Sequence, residues 1–236
     1  MKAYNGNKKP ALAPSFNVMH QNIPGKKSKK QVGVYLDSIM KRFRPAILFI
    51  SEVNPSLVEA NAPSDYTFIR GTLRGKQNVR VCALLKVTEK YEIKELNLDV
   101  PTVVIKIQNW TFVGLYREWT FGGDPATKNK RDLELERYKS LIKYWRSLRG
   151  KTLIMGDFNF DPRTPRTPHQ RTLKEIRGIM ESEVLDRGWK QYIQEITRSQ
   201  EGQESGLLDQ IYCKHDDFIE HVYRDNTTGT DHYCVG

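Results

Sequence analysis

Short apolar runs alternate along the chain with segments in which apolar residues recur at helical spacing. An apolar run of about four to eight residues between turn residues is typical of a buried strand, and the wider spacing is typical of an amphipathic helix. The pattern therefore predicts a chain that mixes strands with helices. Strands are predicted at 16–20, 46–50, 66–70, 79–86, 91–98, 102–107, 111–116, 152–159, 207–213, 218–223 and 230–235, and helices at 32–43, 54–60, 130–149 and 171–185.

Many of the predicted strands end in polar side chains. Asp157 and Asn159 directly follow an apolar run, and alternation along an extended chain places them on the same side. Buried polar groups cost free energy unless they are partnered, so we expect matching polar groups at other strand ends. In chain order, the candidates are Asn22, Glu52, Tyr116, Asp157, Asn159, Asp209, Asp231 and His232.

Length and composition limit the class of protein. The 236 residues and 38% hydrophobic content suffice for one good core. We predict a single domain at 15–236 after a flexible basic arm at 1–14. No apolar run approaches the ~20 residues of a transmembrane helix, so no membrane partner is expected. Three widely separated cysteines favour reduced thiols in an intracellular setting.

The excess of basic residues suggests a polyanionic partner. The 38 lysines and arginines outnumber the 28 acids, which gives a net charge of +10. Four basic clusters lie in the segments 1–30, 70–80, 128–131 and 163–171. Each cluster taken alone is equally consistent with ordinary solvated surface. Because three of them directly follow polar strand ends, we expect them to surround one site and to bind nucleic acid.

The order and spacing of the strand-end residues resemble those of the endonuclease/exonuclease/phosphatase family. This family includes DNase I, exonuclease III-like abasic-site endonucleases and the endonucleases of non-LTR retrotransposons. The resemblance extends from about residue 16 to residue 235. It implies an α/β fold, a four-layer α/β sandwich in which helices flank two packed mixed β-sheets. It also implies an active site at one edge of that sandwich.

The resemblance implies a role for each strand-end residue. Glu52, Asn22 and Asp231 correspond to the metal side of the site, which would hold Mg²⁺, with Mn²⁺ as a possible substitute. Either Asp157 or His232 would activate water. The remaining catalytic candidates are Asn159, which would bind the phosphate, Asp209, which would hold the ring of His232, and Tyr116, which would contact the scissile phosphate. The other four histidines are expected to be ordinary residues.

The basic loops supply candidates for contact with double-stranded DNA. The family commonly continues Tyr-x-Pro where this chain has Tyr116-Arg117-Glu118-Trp119, so Arg117 is a candidate phosphate contact and Trp119 a candidate base-stacking residue. The full set of DNA-binding candidates is Lys26, Lys27, Arg70, Arg74, Lys76, Arg117, Trp119, Lys128, Arg163 and Arg166.

Two departures from the family pattern narrow the expected function. Leu207-Leu208 precedes Asp209 where abasic-site endonucleases usually carry Trp-Arg, and the chain stops directly after a β-prone segment. Both departures favour a retrotransposon-type DNA endonuclease. We expect such a domain to be monomeric, to act in the nucleus, and to be continuous with a reverse transcriptase in the full-length protein. It would nick target DNA to leave a 3′-hydroxyl that primes reverse transcription. The alternatives are an abasic-site repair endonuclease and a catalytically inactive nucleic-acid-binding module.

Overall fold

The structure is a computed structural model. It describes residues 16–25, 27–73, 79–86, 90–96, 98–117, 128–163, 171–199, 206–225 and 230–236. The predicted basic arm at 1–14 lies outside these residues.

Twelve strands are formed by the described residues. They are β1 (Val18–Asn22), β2 (Ile47–Ser51), β3 (Tyr66–Arg70), β4 (Val81–Lys86), β5 (Tyr91–Ile93), β6 (Thr102–Ile107), β7 (Trp110–Tyr116), β8 (Lys151–Asp157), β9 (Lys190–Gln191), β10 (Asp209–Cys213), β11 (Arg224–Asp225) and β12 (Cys234–Val235). The main strands are rich in apolar and β-branched residues, which is why they bury well on a pleated surface.

Four α-helices accompany these strands: α1 (Lys29–Phe43), α2 (Pro55–Glu59), α3 (Lys128–Ser147) and α4 (Arg171–Glu183). Helix α1 begins inside the basic segment that follows β1, because Ser28 and Gln31 form a reciprocal capping box there. Helix α2 begins with Pro55 after an Asn54 cap, as the sequence predicts. No helix in the part of the chain that the structure describes is long and apolar enough to cross a membrane.

The strands form two mixed sheets of six strands each. The first has the order β11-β12-β1-β2-β4-β3, and the second has the order β5-β6-β7-β8-β10-β9. In the first sheet β1 runs parallel to β2, and in the second β7 runs parallel to β8. Strand β10 is antiparallel to β8, so the start of β10 lies beside the end of β8.

The sheets pack face to face and helices cover their outer faces. Phe49 of β2 and Met155 of β8 belong to the apolar core between the sheets. Leu36 of α1 packs with Leu48 on the outside of the first sheet, and Trp145 of α3 packs with the outside of the second. This α/β/β/α arrangement confirms the predicted four-layer sandwich.

The predicted strand at 218–223 is wrong. The chain instead forms a 3₁₀ turn at Asp216–Phe218 and joins the first sheet only at β11. The ring of Phe218 packs against Trp110 and lies 3.5 Å from the Lys151 amine. Trp110 belongs to β7 and Lys151 to β8, so these contacts hold Phe218 against the second sheet, and the chain pairs with the first sheet only from Arg224. Most other predicted elements are present, with ends shifted by one to a few residues.

Candidate active site

The polar ends of five strands meet at one edge of the sandwich. Asn22 ends β1, Glu52 follows β2, and Asp157 ends β8. Tyr116 of β7 and Asp209 of β10 both pair in register with Asp157. The structure thus brings together residues that lie up to 187 positions apart in the sequence (209 − 22).

Asn22 links the two sheets at this edge. Its amide nitrogen donates to Asp157 Oδ2 at 2.7 Å and to Glu52 Oε2 at 3.0 Å. Its Oδ1 is buried and has no hydrogen-bond partner among the described residues. The amide therefore holds two acids near each other and leaves one neutral oxygen that a ligand could use.

Glu52 adopts a backbone conformation that a non-glycine residue rarely takes. Its φ is 64°, in the left-handed region. Arg80 stabilises this turn, because its guanidinium donates to the Glu52 carbonyl at 2.7 Å and lies 3.4 Å from Glu52 Oε1. The same guanidinium lies 5.7 Å from the ring centre of Tyr116. In the sequence Arg80 belongs to the basic cluster at 70–80. In the structure it contacts both Glu52, a metal-ligand candidate, and Tyr116, a candidate for contact with phosphate.

Asp157 is fully buried and holds a carboxyl group that is hard to ionise. Burial raises its pKa most and the charge of Asp209 raises it further. The charge of His232 and the hydrogen bonds from Asn159 and Asn22 lower it, and the net value is about 7. The backbone N–H of Asn159 donates to Asp157 Oδ1 at 2.8 Å. A carboxyl group with a pKa near neutrality is suited to exchange a proton with water.

Asp209 and His232 form the predicted pair. His232 Nδ1 lies 2.8 Å from Asp209 Oδ2, and both side chains are buried. Burial alone would lower the pKa of His232, but the charge and hydrogen bond of Asp209, with the charges of Asp157 and Asp231, raise it to about 9. Burial would raise the pKa of Asp209, but His232 and His20 outweigh it and hold it below its usual value. The pair therefore favours a carboxylate beside an imidazolium.

His20 is a residue of this site that the sequence reasoning treated as ordinary. It is fully buried, and its Nδ1 lies 3.3 Å from Asp209 Oδ1. Its Nε2 lies 3.0 Å from the Ser51 hydroxyl. One signal could have identified it: His20 precedes Asn22 by two positions, so both residues lie on the same side of β1.

The segment 197–199 holds Asp209 and His232 in place. Thr197 Oγ1 accepts the amide N–H of Asp209 at 2.8 Å, and the Thr197 carbonyl accepts that of Tyr233 at 2.7 Å. Arg198 donates to Asp231 Oδ2 at 3.0 Å. This segment joins the start of β10 to the strand that follows His232. Its role could not be predicted from the sequence, because it depends on long-range pairing.

Asn159 is fixed by reciprocal contacts with Arg117. The side-chain amide nitrogen of Asn159 donates to the backbone carbonyl of Arg117 at 2.6 Å. In return, Arg117 Nη1 donates to the backbone carbonyl of Asn159 at 2.9 Å. Asn159 has a left-handed φ of 49°. Arg117 itself is only 2% exposed. Because Arg117 Nη1 donates to the Phe158 and Asn159 carbonyls, this side chain supports the turn after β8, and its contact with phosphate stays a prediction.

No protein-family profile and no curated protein matches this chain. Solved structures do resemble it. The endonuclease domain of TRAS1, a telomere-specific non-LTR retrotransposon, is 13% identical and matches with a TM-score of 0.63, covering 94% of this chain and 96% of that one. An AP endonuclease from Archaeoglobus fulgidus is 14% identical, with a TM-score of 0.65 over 92% and 96% of the two chains. An endonuclease/exonuclease/phosphatase family protein from Bacteroides thetaiotaomicron is 12% identical, with a TM-score of 0.56 over 94% and 93%.

This chain has the endonuclease/exonuclease/phosphatase fold. The predicted resemblance is confirmed at the level of architecture. At these sequence identities the likeness concerns the fold, so the chemistry has to be argued from the side chains themselves.

The polar edge of this endonuclease/exonuclease/phosphatase fold contains one grouping of acids and histidine that could hold a metal, among the residues described. Ligand atoms of Glu52, Asp157 and His232 all lie within 4.8 Å of one another. Carboxylate oxygens and the unpartnered Asn22 Oδ1 are hard ligands that suit both Mg²⁺ and Mn²⁺, whereas an imidazolium at His232 would lie beside the ion without binding it. The predicted metal residue Asp231 lies outside this grouping, and its carboxylate pairs with Arg198 instead.

The predicted DNA-binding residues differ in how the fold uses them. Lys27 is half-buried, with its amine 5.6 Å from the ring centre of Tyr35, and Arg70 is exposed and lies 3.2 Å from Glu59. Arg163 directs its guanidinium to Asp161 at 2.8 Å and to the Gln194 carbonyl at 2.8 Å, which argues against a free role on DNA. The backbone of Lys128 begins α3. Outside the described residues lie Lys26, Arg74, Lys76, Trp119 and Arg166.

Proposed function

We propose that this chain is a metal-dependent phosphodiesterase that cuts DNA. One observation carries the proposal: Glu52, Asp157 and His232 converge within 4.8 Å, and a buried carboxylate, Asp209, stands behind the histidine. Hydrolysis of a phosphodiester needs a proton acceptor for water and positive charge for the developing negative charge on phosphate. The converging side chains offer a proton acceptor and positive charge at one place.

Each residue has a proposed part in the reaction. Asp157, with a pKa of about 7, accepts a proton from the attacking water. His232, with a pKa of about 9, stays protonated at neutral pH and contacts a phosphate oxygen as an imidazolium. An imidazolium cannot also act as the base, which favours Asp157 over His232 for that role. Asn159 has one N–H in use on the Arg117 carbonyl and a second N–H to offer phosphate. Tyr116 contacts the phosphate or leaving group.

Glu52 and the Asn22 carboxamide oxygen would hold the metal, which is Mg²⁺ with Mn²⁺ as a substitute. The ion would then lie next to Asp157 and His232. When bound, it would supply positive charge beside the phosphate. Asn22 keeps Glu52 and Asp157 close, because its side-chain amide nitrogen donates to both.

DNA is the favoured polymer. The net charge of +10 provides a sequence-independent attraction to phosphates. One similar structure is described as a retrotransposon endonuclease domain and another as an AP endonuclease. We further propose that the chain nicks one strand of nuclear DNA and acts, as a monomeric domain, next to a reverse transcriptase that extends the 3′-hydroxyl.

Relaxation of supercoiled plasmid tests the proposal. Wild-type protein with Mg²⁺ should convert plasmid to open circles, and EDTA should prevent this. Asp157→Asn removes the base while keeping the shape of the side chain, so turnover should fall by about 10²- to 10⁴-fold. Asp186→Asn, an exposed acid in the 3₁₀ turn after α4, is the matched control and should retain activity. Undiminished nicking by the folded Asp157→Asn variant would refute the assignment.

A duplex with a single abasic analogue tests the repair alternative, which the similarity to an AP endonuclease supports. Wild-type protein should cut this duplex no faster than the intact duplex of the same sequence. A strong preference for the abasic duplex would favour repair. Binding to both duplexes without cleavage by any divalent metal would instead identify an inactive nucleic-acid-binding module.

A further inference from the structure

A buried line of polar contacts runs behind the candidate active site. It begins at the Ser51 hydroxyl, 3.0 Å from His20 Nε2, and continues from His20 Nδ1 to Asp209 Oδ1 at 3.3 Å. It ends where Asp209 Oδ2 meets His232 Nδ1 at 2.8 Å. One carboxylate therefore lies between two imidazoles, with one oxygen directed at each.

The contact between His20 and Asp209 is longer and less well aligned than the contact to His232. His20 Nδ1 and Asp209 Oδ1 are both buried, and neither has a properly oriented hydrogen-bond partner elsewhere in the described residues. A buried polar atom without a partner costs free energy, so each of these two atoms is the natural partner of the other.

Packing alone does not require a histidine at position 20. The position is fully buried in β1, where an apolar side chain would avoid the cost of burying two ring nitrogens. Both ring nitrogens instead face polar atoms, Nε2 that of Ser51 at the end of β2 and Nδ1 that of Asp209 at the start of β10 in the other sheet. When Nδ1 carries the proton, it points at Asp209 and leaves Nε2 to accept the Ser51 hydroxyl. Because a carboxylate oxygen can only accept, Asp209 selects this tautomer, and the Ser51 hydroxyl, which can donate or accept, is compatible with it.

We propose that His20 is a positioning residue that fixes the carboxylate of Asp209 so that its second oxygen stays aligned with His232. The inference rests on the proposed phosphodiesterase function, because it assigns His20 to the same reaction. It also joins the two halves of the site, since Ser51 directly precedes Glu52 in the chain. His20 touches neither phosphate nor metal in this role and acts through Asp209.

Two amide substitutions separate this role from packing. In His20→Asn the side-chain nitrogen can occupy the place of Nδ1 and still donate to Asp209. In His20→Gln the nitrogen reaches the place of Nε2, so the contact to Ser51 can persist while the contact to Asp209 is lost. His221→Asn, at an exposed histidine, is the control for the substitution itself. Circular dichroism and thermal unfolding establish that each variant is folded.

Plasmid nicking gives the first readout. His20→Gln should lower kcat by about 10- to 100-fold, as the loss of an orienting partner typically does, with KM for DNA unchanged. His20→Asn should recover most of the lost kcat, and His221→Asn should match the wild type. Equal activity of folded His20→Gln and wild type would overturn the proposal, and so would a His20→Asn variant that is no more active than His20→Gln.

Proton NMR gives a readout that does not depend on catalysis. The His232 Nδ1 proton, hydrogen-bonded to Asp209, should give a downfield imidazole signal in metal-free protein. His20→Gln should shift or broaden this signal and His20→Asn should preserve it. An unchanged signal in His20→Gln would overturn the proposal even if the wild type cuts DNA. If the wild type fails to cut DNA, the proposed function fails, and the NMR comparison still decides whether His20 positions Asp209.

Discussion

Two aspartates of the site have opposite acidities although they face each other across paired strands. Asp157 and Asp209 are both fully buried, and burial raises the pKa of each. Two imidazoles surround Asp209 and lower its pKa, while Asp157 faces the charge of Asp209 and stays near pKa 7. Such a separation between two like groups distinguishes an acid–base role from an orienting role.

The elevated pKa of His232 predicts a dependence of stability on pH. Its folded-state pKa of about 9 exceeds the ordinary 6.5, so its contribution is complete below pH 6.5 and is lost as pH rises through about 9. In EDTA, the free energy of unfolding should fall by up to about 3 kcal/mol over that window because of this group. Urea unfolding at several pH values measures it. In His232→Asn the decline should be absent, and an equal decline in both proteins would contradict the pKa assignment.

Arg117 provides a prediction about a buried cation. Arg117→Met removes the donors to the Phe158 and Asn159 carbonyls, so unfolding free energy should fall by about 1–3 kcal/mol and kcat should fall as Asn159 loses support. Affinity for DNA should not change. Arg187→Met, an exposed arginine paired with Glu183, should change stability by less than about 0.5 kcal/mol. Weaker DNA binding by Arg117→Met at unchanged stability would support the predicted contact with phosphate.

At the scale of elements, the close approach of β7 and β8 aligns Tyr116 with Asp157. Gly156 immediately precedes Asp157, and a Cβ on Gly156 would lie 2.0 Å from the Leu115 carbonyl oxygen. Any side chain there would push the two parallel strands apart. The glycine is therefore required by the pairing that sets the register of the site.

A pair of glycine substitutions tests this requirement. Gly156→Ala should destabilise the fold by about 1–3 kcal/mol, as overpacking does, and should reduce nicking because Asp157 moves relative to Tyr116. Gly178→Ala, in the middle of α4, has no neighbour within 4 Å and should stabilise the protein by about 0.5–1 kcal/mol. Thermal unfolding of both variants measures the contrast. A Gly156→Ala protein as stable and active as the wild type would refute the steric argument.

At the scale of the whole molecule, the two sheets meet at an edge that carries acids, while the chain as a whole is strongly basic. In the proposed function the acids would hold the cation, and the net charge of +10 would attract DNA. The cation would thus be held by the acids at the edge, and DNA would be attracted by the basic residues of the chain. Basic residues near the edge can therefore differ in whether they contact DNA or support the fold.

The salt dependence of DNA binding separates these two uses. With the Asp157→Asn variant in EDTA, affinity for duplex DNA should fall linearly on a log–log plot against salt. Adding Lys27→Gln should reduce the slope by about 1, because one phosphate contact is lost. Adding Arg163→Gln should leave the slope unchanged, because Asp161 and Gln194 already engage its guanidinium. A reduced slope for Arg163→Gln would assign that side chain to DNA after all.

The amino-acid sequence by itself determined the elements and the polar strand ends. Apolar runs such as 46–50 predict buried strands because hydrophobic periodicity is local, and the polar residues that follow them, such as Glu52 and Asp157, are visible without a fold. The prediction of a strand at 218–223 was wrong, because Phe218 packs against Trp110 and Lys151 of the second sheet. Local pattern does not report such partners.

The tertiary structure alone decided how the polar residues pair. Asn22 joins Glu52 to Asp157 across the two sheets, Arg117 is enclosed, and His20 stands behind Asp209. Hydrogen bonds and pKa shifts depend on distances between residues that are remote in sequence, and on their exclusion from water. Those distances exist only once the two sheets have packed, which is why a histidine that looked ordinary in the sequence lies within the site.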